Sequence, residues 1–141
     1  MTQQFPIYTF AGLSPCRVAA TSNQTGTYFN GPLNNGVGAT FTYTSNGALS
    51  IDSVILSVNN RILLQNQTSA NQNGIWVVTD PGSTSTPAIL KRAPDFQSIE
   101  QLKAGAFVPI GAGTSNAGFI YVLVEPIPLI MGTSNITFIQ T

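Results

Sequence analysis

Short apolar runs with polar residues at every second position, broken by Gly, Pro or Asn about every 8–12 residues, commit this chain to a β architecture. In "ATFTYTSNGALSI", Phe41 and Tyr43 alternate with Thr40, Thr42 and Thr44, and Leu49 and Ile51 resume the pattern beyond Asn46-Gly47. Side chains on a strand point to opposite faces in turn, so such a run separates its aromatics from its threonines. Asn-Gly accepts the positive φ that both central residues of a type I′ turn require, which predicts a hairpin at Asn46-Gly47. "IDSVILSVNNRILLQNQ" supplies two more runs, with Asn59-Asn60 as the turn between them. "GIWVVTD", "GAFVPIGAG", "GFIYVLVE" and "NITFIQT" add further strands. The polar stretch "QNQTSANQNG" reads as a connection between two strands whose core side holds Leu63, Ile75 and Val77, and Trp76 is expected in the core.

The expected fold is therefore all-β: a single antiparallel β-sandwich or barrel with one short helix and an extended N-terminal arm. The helix is expected in "PDFQSIEQLKAG", where Asp95 or Ser98 can cap, Ile99 and Leu102 lie three apart and Gly105 follows Lys103. Residues 1–16, with two prolines and no hairpin pattern, read as an arm laid on something else. Residues 17–141 form the β-rich body.

The surface of this body is unusual. Of 141 residues only 7% are charged, five basic and five acidic, against an average near ~25%. Hydrophobic residues at 43% are ordinary, so the exterior is covered mainly by Asn, Gln, Ser, Thr and Gly. A net charge of zero steers the chain toward neither nucleic acid nor an anionic membrane, and neither partner is expected. A near-neutral surface also favours self-association. The greasiest stretch, "FIYVLVEPIPLIM", is interrupted by Glu125, Pro126 and Pro128 and is too short to span a bilayer. "MTQQFPIYTF" has neither the basic n-region nor the apolar h-region of a secretory signal, so synthesis in a reducing cytoplasm is the expectation.

Catalytic chemistry is poorly supplied. The chain has no His, which excludes imidazole catalysis and His-ligated metals, and the lone Cys16 can build neither a disulfide nor a zinc site. No cofactor is expected. "GAGTSNAG", residues 111–118, is Gly-rich but lacks the Lys-Ser or Lys-Thr of a phosphate loop and reads as a hairpin connection. A glycosidase would need two of Asp52, Asp80, Asp95, Glu100 and Glu125. Asp80 precedes Pro81-Gly82, which is turn chemistry, and Asp95 is placed as a helix cap. Three Asn-X-Thr sequons, at Asn23, Asn66 and Asn135, are what a chain this rich in Asn and Thr contains by chance. Two non-catalytic surfaces remain. Tyr28 and Phe29 precede the loop "NGPLNNGVGA" and could stack on a sugar or a partner. Lys91, Arg92, Asp95, Glu100 and Lys103 collect half of the charge into a candidate docking patch; the plainer reading is a solvated helix with local ion pairs.

Successive blocks of sequence resemble, in order, a module recurrent in tailed-bacteriophage virion proteins. They begin with Arg17-Val18-Ala19-Ala20-Thr21 and Ile51-Asp52-Ser53-Val54. Asn60-Arg61-Ile62-Leu63-Leu64-Gln65-Asn66-Gln67 and Asn73-Gly74-Ile75-Trp76-Val77-Val78 follow, and "KRAPDF", "GAFVPI" and "ITFIQ" complete the pattern. Where the pattern favours Gly the chain has Ser53, and around Arg61 it carries Asn60 and Gln65 in place of charges. The resemblance implies a structural, non-enzymatic virion protein and carries over no catalytic residue. One compact domain with a short arm suits a capsid decoration or cement protein, contacting neighbouring capsid subunits and often trimeric, better than a tail fibre with its shaft. The alternatives are a tail-fibre or receptor module that binds a host surface glycan, and a polysaccharide-cleaving tip protein with paired carboxylates.

Overall fold

The computed structural model describes residues 12–98, 102, 105–124 and 130–141. Among the described residues eleven strands form three sheets, and none of them closes into a barrel. The central sheet has six strands, β1 (Val18–Ala19), β6 (Arg61–Leu64), β7 (Gly74–Asp80), β8 (Pro87–Arg92), β3 (Thr40–Asn46) and β2 (Gly26–Phe29), in that order. Only β1 and β6 run parallel; the other neighbours are antiparallel. Against one face of this sheet packs a three-stranded sheet, β11 (Phe138–Gln140), β10 (Ile120–Leu123) and β9 (Phe107–Pro109). Against the other lies the small hairpin of β4 (Ser50–Ile51) and β5 (Val54–Ile55).

The molecule is a sandwich with cores on both sides of its central layer. Leu63 and Ile75, paired across β6 and β7, face Val108, Ile110, Tyr121, Leu123 and Phe138, with Val77 half-buried beside them. The intervening residues Ile62, Leu64, Trp76 and Val78 face the opposite way, joining Phe41, Leu90, Leu49, Ile51 and Leu56. Burial on both faces explains why "RILL" and "GIWVV" are nearly continuous apolar runs, whereas β3, open on one side, alternates. Residues 65–73 connect β6 to β7, closed by a 3₁₀ turn (Ala70–Gln72), as expected of "QNQTSANQNG". Within that turn the Gln72 carbonyl accepts the indole N–H of the buried Trp76 at 3.1 Å.

Several expectations are corrected. Asn46-Gly47 is no hairpin turn, because β3 pairs with β2 and β8, and Asn46 stands opposite Pro87 beyond a bulge. Two longer apolar registers win over the local turn signal, and at Gly47 the chain leaves the sheet for β4. The two-residue hairpin turn falls instead at Asp52-Ser53, with φ of 49° and 69°, the left-handed pair of a type I′ turn. Asn59-Asn60 does turn the chain, Asn59 at φ 73°, but it joins β5 to β6, which lie in different sheets.

No α-helix occurs among the described residues. Residues 94–98 form turns and bends, and Ile99, Glu100, Gln101, Lys103 and Ala104, the rest of the expected helix, lie outside the described residues. Residues 12–16 run parallel along the free edge of β9: the Leu13 amide donates to the Phe107 carbonyl at 2.8 Å and that of Cys16 to Pro109 at 3.0 Å. Arg17 and Ala20 then donate to Arg61 and Leu63, so one continuous stretch stitches the two larger sheets together. Residues 1–11, the remainder of the expected arm, lie outside the described residues.

Candidate functional site

Each carboxylate that the structure describes accepts hydrogen bonds from the chain's own loops or cations. Asp52 accepts the backbone N–H groups of Ser115 (3.0 and 3.1 Å) and Asn116 (2.9 Å), while its carbonyl accepts that of Thr114. The Gly-rich segment 111–118 therefore is a nest of amides, but the anion in it is Asp52. Gly113, at φ 115°, has no room for a Cβ beside that carboxylate. Asp80 accepts from the Gly82 amide at 2.9 Å, the turn contact its sequence announces. Asp95 does not cap a helix; its two oxygens take a forked pair of bonds from Arg61 at 2.9 and 3.0 Å. Glu100 and Glu125 lie outside the described residues. Among the described residues no group of three or more His, Cys, Asp or Glu could hold a metal.

Cys16 is buried, and burial pushes its thiol up from 9.0 to about 12; nearby Arg61 draws it down and Asp95 raises it, by less. A thiol so held does not supply a thiolate nucleophile at neutral pH. It lines a surface groove of about 410 Å³ with Arg17, Asn60 and Arg61.

The candidate docking patch is dispersed. Lys91 is exposed, Asp95 is paired with Arg61, and Glu100 and Lys103 lie outside the described residues. Arg92 is corrected outright: it is 1% exposed, and its guanidinium lies 4.2 Å from the centre of the Trp76 ring and 5.8 Å from that of Tyr28. It donates to the Asn73 carbonyl at 2.6 Å, and burial lowers its pKa, with Tyr28 opposing the shift. Gly74, at φ 132°, leaves the space through which Arg92 and Phe96 pass. Period 2 within "PAILKR" carries the missed signal, since Ala88, Leu90 and Arg92 share one face and Lys91 the other.

Tyr28 and Phe29 are likewise separated by alternation. Tyr28 packs edge-on against Trp76 at 5.9 Å and its hydroxyl donates to Asn30, so it belongs to the core rim. Phe29 points the other way and is 52% exposed.

Phe29 opens onto the β2–β3–β8 part of the central sheet, where the described residues are exposed or half-buried. The three-stranded sheet screens only the β6–β7 half of the central layer. On the other half, Thr27, Thr42 and Ile89 stand side by side in one cross-strand row, and Phe29, Thr40, Lys91 and Val77 in the next. Val37, 42% exposed, rims this face beside Val77 and Lys91. A groove of about 300 Å³ between Val37, Val77, Thr79 and Lys91 ends it. Among the described residues the face carries one charge, Lys91. Its chemistry is apolar burial and hydroxyl hydrogen bonding, which suits a packed contact.

In comparisons with family models, with curated proteins and with solved structures, nothing matches the chain.

Proposed function

We propose that the protein is a non-enzymatic structural component of a tailed-bacteriophage virion, a capsid decoration or cement protein that binds and stabilises neighbouring capsid subunits. The observation that carries this reading is the division of labour among its polar groups. The described acids and the Gly-rich loop are consumed in holding the fold, while the β2–β3–β8 face carries a single charge, Lys91, among the described residues. Such a face gains little from long-range steering and attaches by area, as a permanent lattice contact does. The resemblance, block by block, points to the same class of particle. The protein is made in the host cytoplasm and resides in the virion, with trimers favoured.

Exposed Phe29 supports a second reading, a tail-fibre or receptor module in which that ring stacks on a host glycan. One experiment separates the two. Purified protein is mixed with particles lacking it and sedimented, with and without the substitution Thr42→Arg. Cosedimentation that survives ~1 M salt and is lost in the variant supports the capsid reading, because screening leaves an uncharged contact intact. Failure to cosediment, with glycan binding that disappears in Phe29→Ala, replaces it with the second.

A further inference from the structure

Strand β2 forms one edge of the central sheet. Its bonds to β3 fall at alternate residues: the Thr44 amide donates to the Thr25 carbonyl at 3.2 Å, so Thr25, Thr27 and Phe29 hold the positions that bond to β3. The backbone N–H and C=O groups of Gln24, Gly26, Tyr28 and Asn30 therefore turn outward along the edge. The chain itself engages the two ends of that row. The Gln67 side chain accepts from the Gln24 amide at 2.6 Å and donates to the Gln24 carbonyl at 2.9 Å. At the other end the Gly36 amide donates to the Asn30 carbonyl at 2.9 Å. Between these ends, the N–H and C=O groups of Gly26 and Tyr28 have no partner among the described residues, and both residues are only half-buried.

The strand "GTYF" carries no charge and no proline, and its register against β3 is unbroken by a bulge, so the usual devices that block an edge are missing from it. Free backbone groups in such a row are matched by another extended backbone. β2 matches itself. Laid antiparallel about Thr27, Gly26 of each copy exchanges both of its bonds with Tyr28 of the other, and every free group in the gap is used. Slipping by two residues in either direction sets Tyr28 against Gln24 or Gly26 against Asn30, residues that Gln67 and Gly36 already engage. The gap thus fixes one register. Past it the chain turns at Gly31, φ 90°, which confines the contact to these few residues. Thr27 and the 52% exposed Phe29 then continue the β2–β3–β8 face across both copies.

We propose that β2 pairs antiparallel with β2 of a second copy about Thr27, joining two six-stranded sheets edge to edge. This two-fold contact does not rest on the virion reading and is additional to the trimer favoured there. Thr27→Cys and, as its control, Thr42→Cys are each oxidised mildly beside the parent protein with its buried Cys16. Edge pairing sets residue 27 opposite itself in a non-hydrogen-bonded pair, with Cα atoms ~4.5 Å apart, within reach of a disulfide. It keeps residue 42 of the two copies three strand spacings, ~14 Å, apart. A linked species of twice the chain mass in Thr27→Cys, and none in Thr42→Cys or the parent, is the expected result. In the parent protein at high concentration, the Gly26 and Tyr28 amides are expected to exchange slowly with deuterium. That protection is lost on dilution, and in Thr27→Lys, where like charges meet across the axis. No linked species in a folded Thr27→Cys overturns the proposal. So does equal linkage in Thr42→Cys, which marks a contact through the face instead of the edge, and so do Gly26 and Tyr28 amides that exchange fast at every concentration. These readouts are made without particles, so their failure leaves the cosedimentation test untouched, and failure of that test leaves them standing.

Discussion

The guanidinium of Arg92 lies in the interior over Trp76, 4.2 Å from the ring centre and bonded to the Asn73 carbonyl, with no carboxylate partner among the described residues. Its charge is compensated by a ring face and by carbonyl dipoles, which keeps the end of β8 registered against the β6–β7 connection. Arg92→Ala strands the Asn73 carbonyl and opens a cavity under Trp76. It is expected to cost roughly 2–4 kcal/mol in urea unfolding. Arg92→Met, which refills the volume, is expected to recover part of that loss. Equal costs for the two would deny the packing role.

Ser53 sits at φ 69° in the type I′ turn between β4 and β5, a conformation that a side chain resists. Ser53→Gly is expected to stabilise the protein by roughly 0.5–1 kcal/mol, since only glycine adopts this region freely. Ser53→Val is expected to destabilise by more. Thermal unfolding of both variants checks the sign.

Asp52 organises the 111–118 loop through the amides of Ser115 and Asn116. Asp52→Ala, which leaves both amides without their acceptor, is expected to cost about 2–3 kcal/mol. Asp52→Asn, with one acceptor oxygen, is expected to cost less. Faster hydrogen exchange at residues 114–116, ahead of the rest of the molecule, is the direct readout.

Stability should decline in alkali. Burial raises Cys16 from 9.0 to about 12, so its neutral thiol favours folding; that contribution is whole below pH 9 and is lost as pH climbs through 12. Burial raises Tyr43 as well, adding a loss that begins above its ordinary value of 10.0. Melting temperatures measured from pH 8 to 11 are expected to fall, and to fall less steeply in Cys16→Ala. A flat profile in the parent protein contradicts this.

Much of the fold is legible in the sequence because two-sided and one-sided burial leave different patterns. The continuous apolar "RILL" and "GIWVV" announce the central strands, and alternation in "ATFTYT" announces a strand with one open face. Which strands pair is not legible from Asn46-Gly47: the registers Phe41–Leu90 and Tyr28–Phe41 are long-range and outweigh a local turn preference. The candidate site was half readable. Alternation alone separates Phe29 from Tyr28 and Lys91 from Arg92, yet treating neighbours as one patch obscures it. The service of Asp52 to a loop more than sixty residues away has no local signature.

The most direct test is the copy number of the protein in gradient-purified virions, measured by quantitative mass spectrometry before and after a salt wash. A fixed ratio to the major capsid protein that the wash leaves unchanged is the predicted result, because the proposed contact surface is almost uncharged. Absence from the particles, or trace amounts that wash away, would contradict the account.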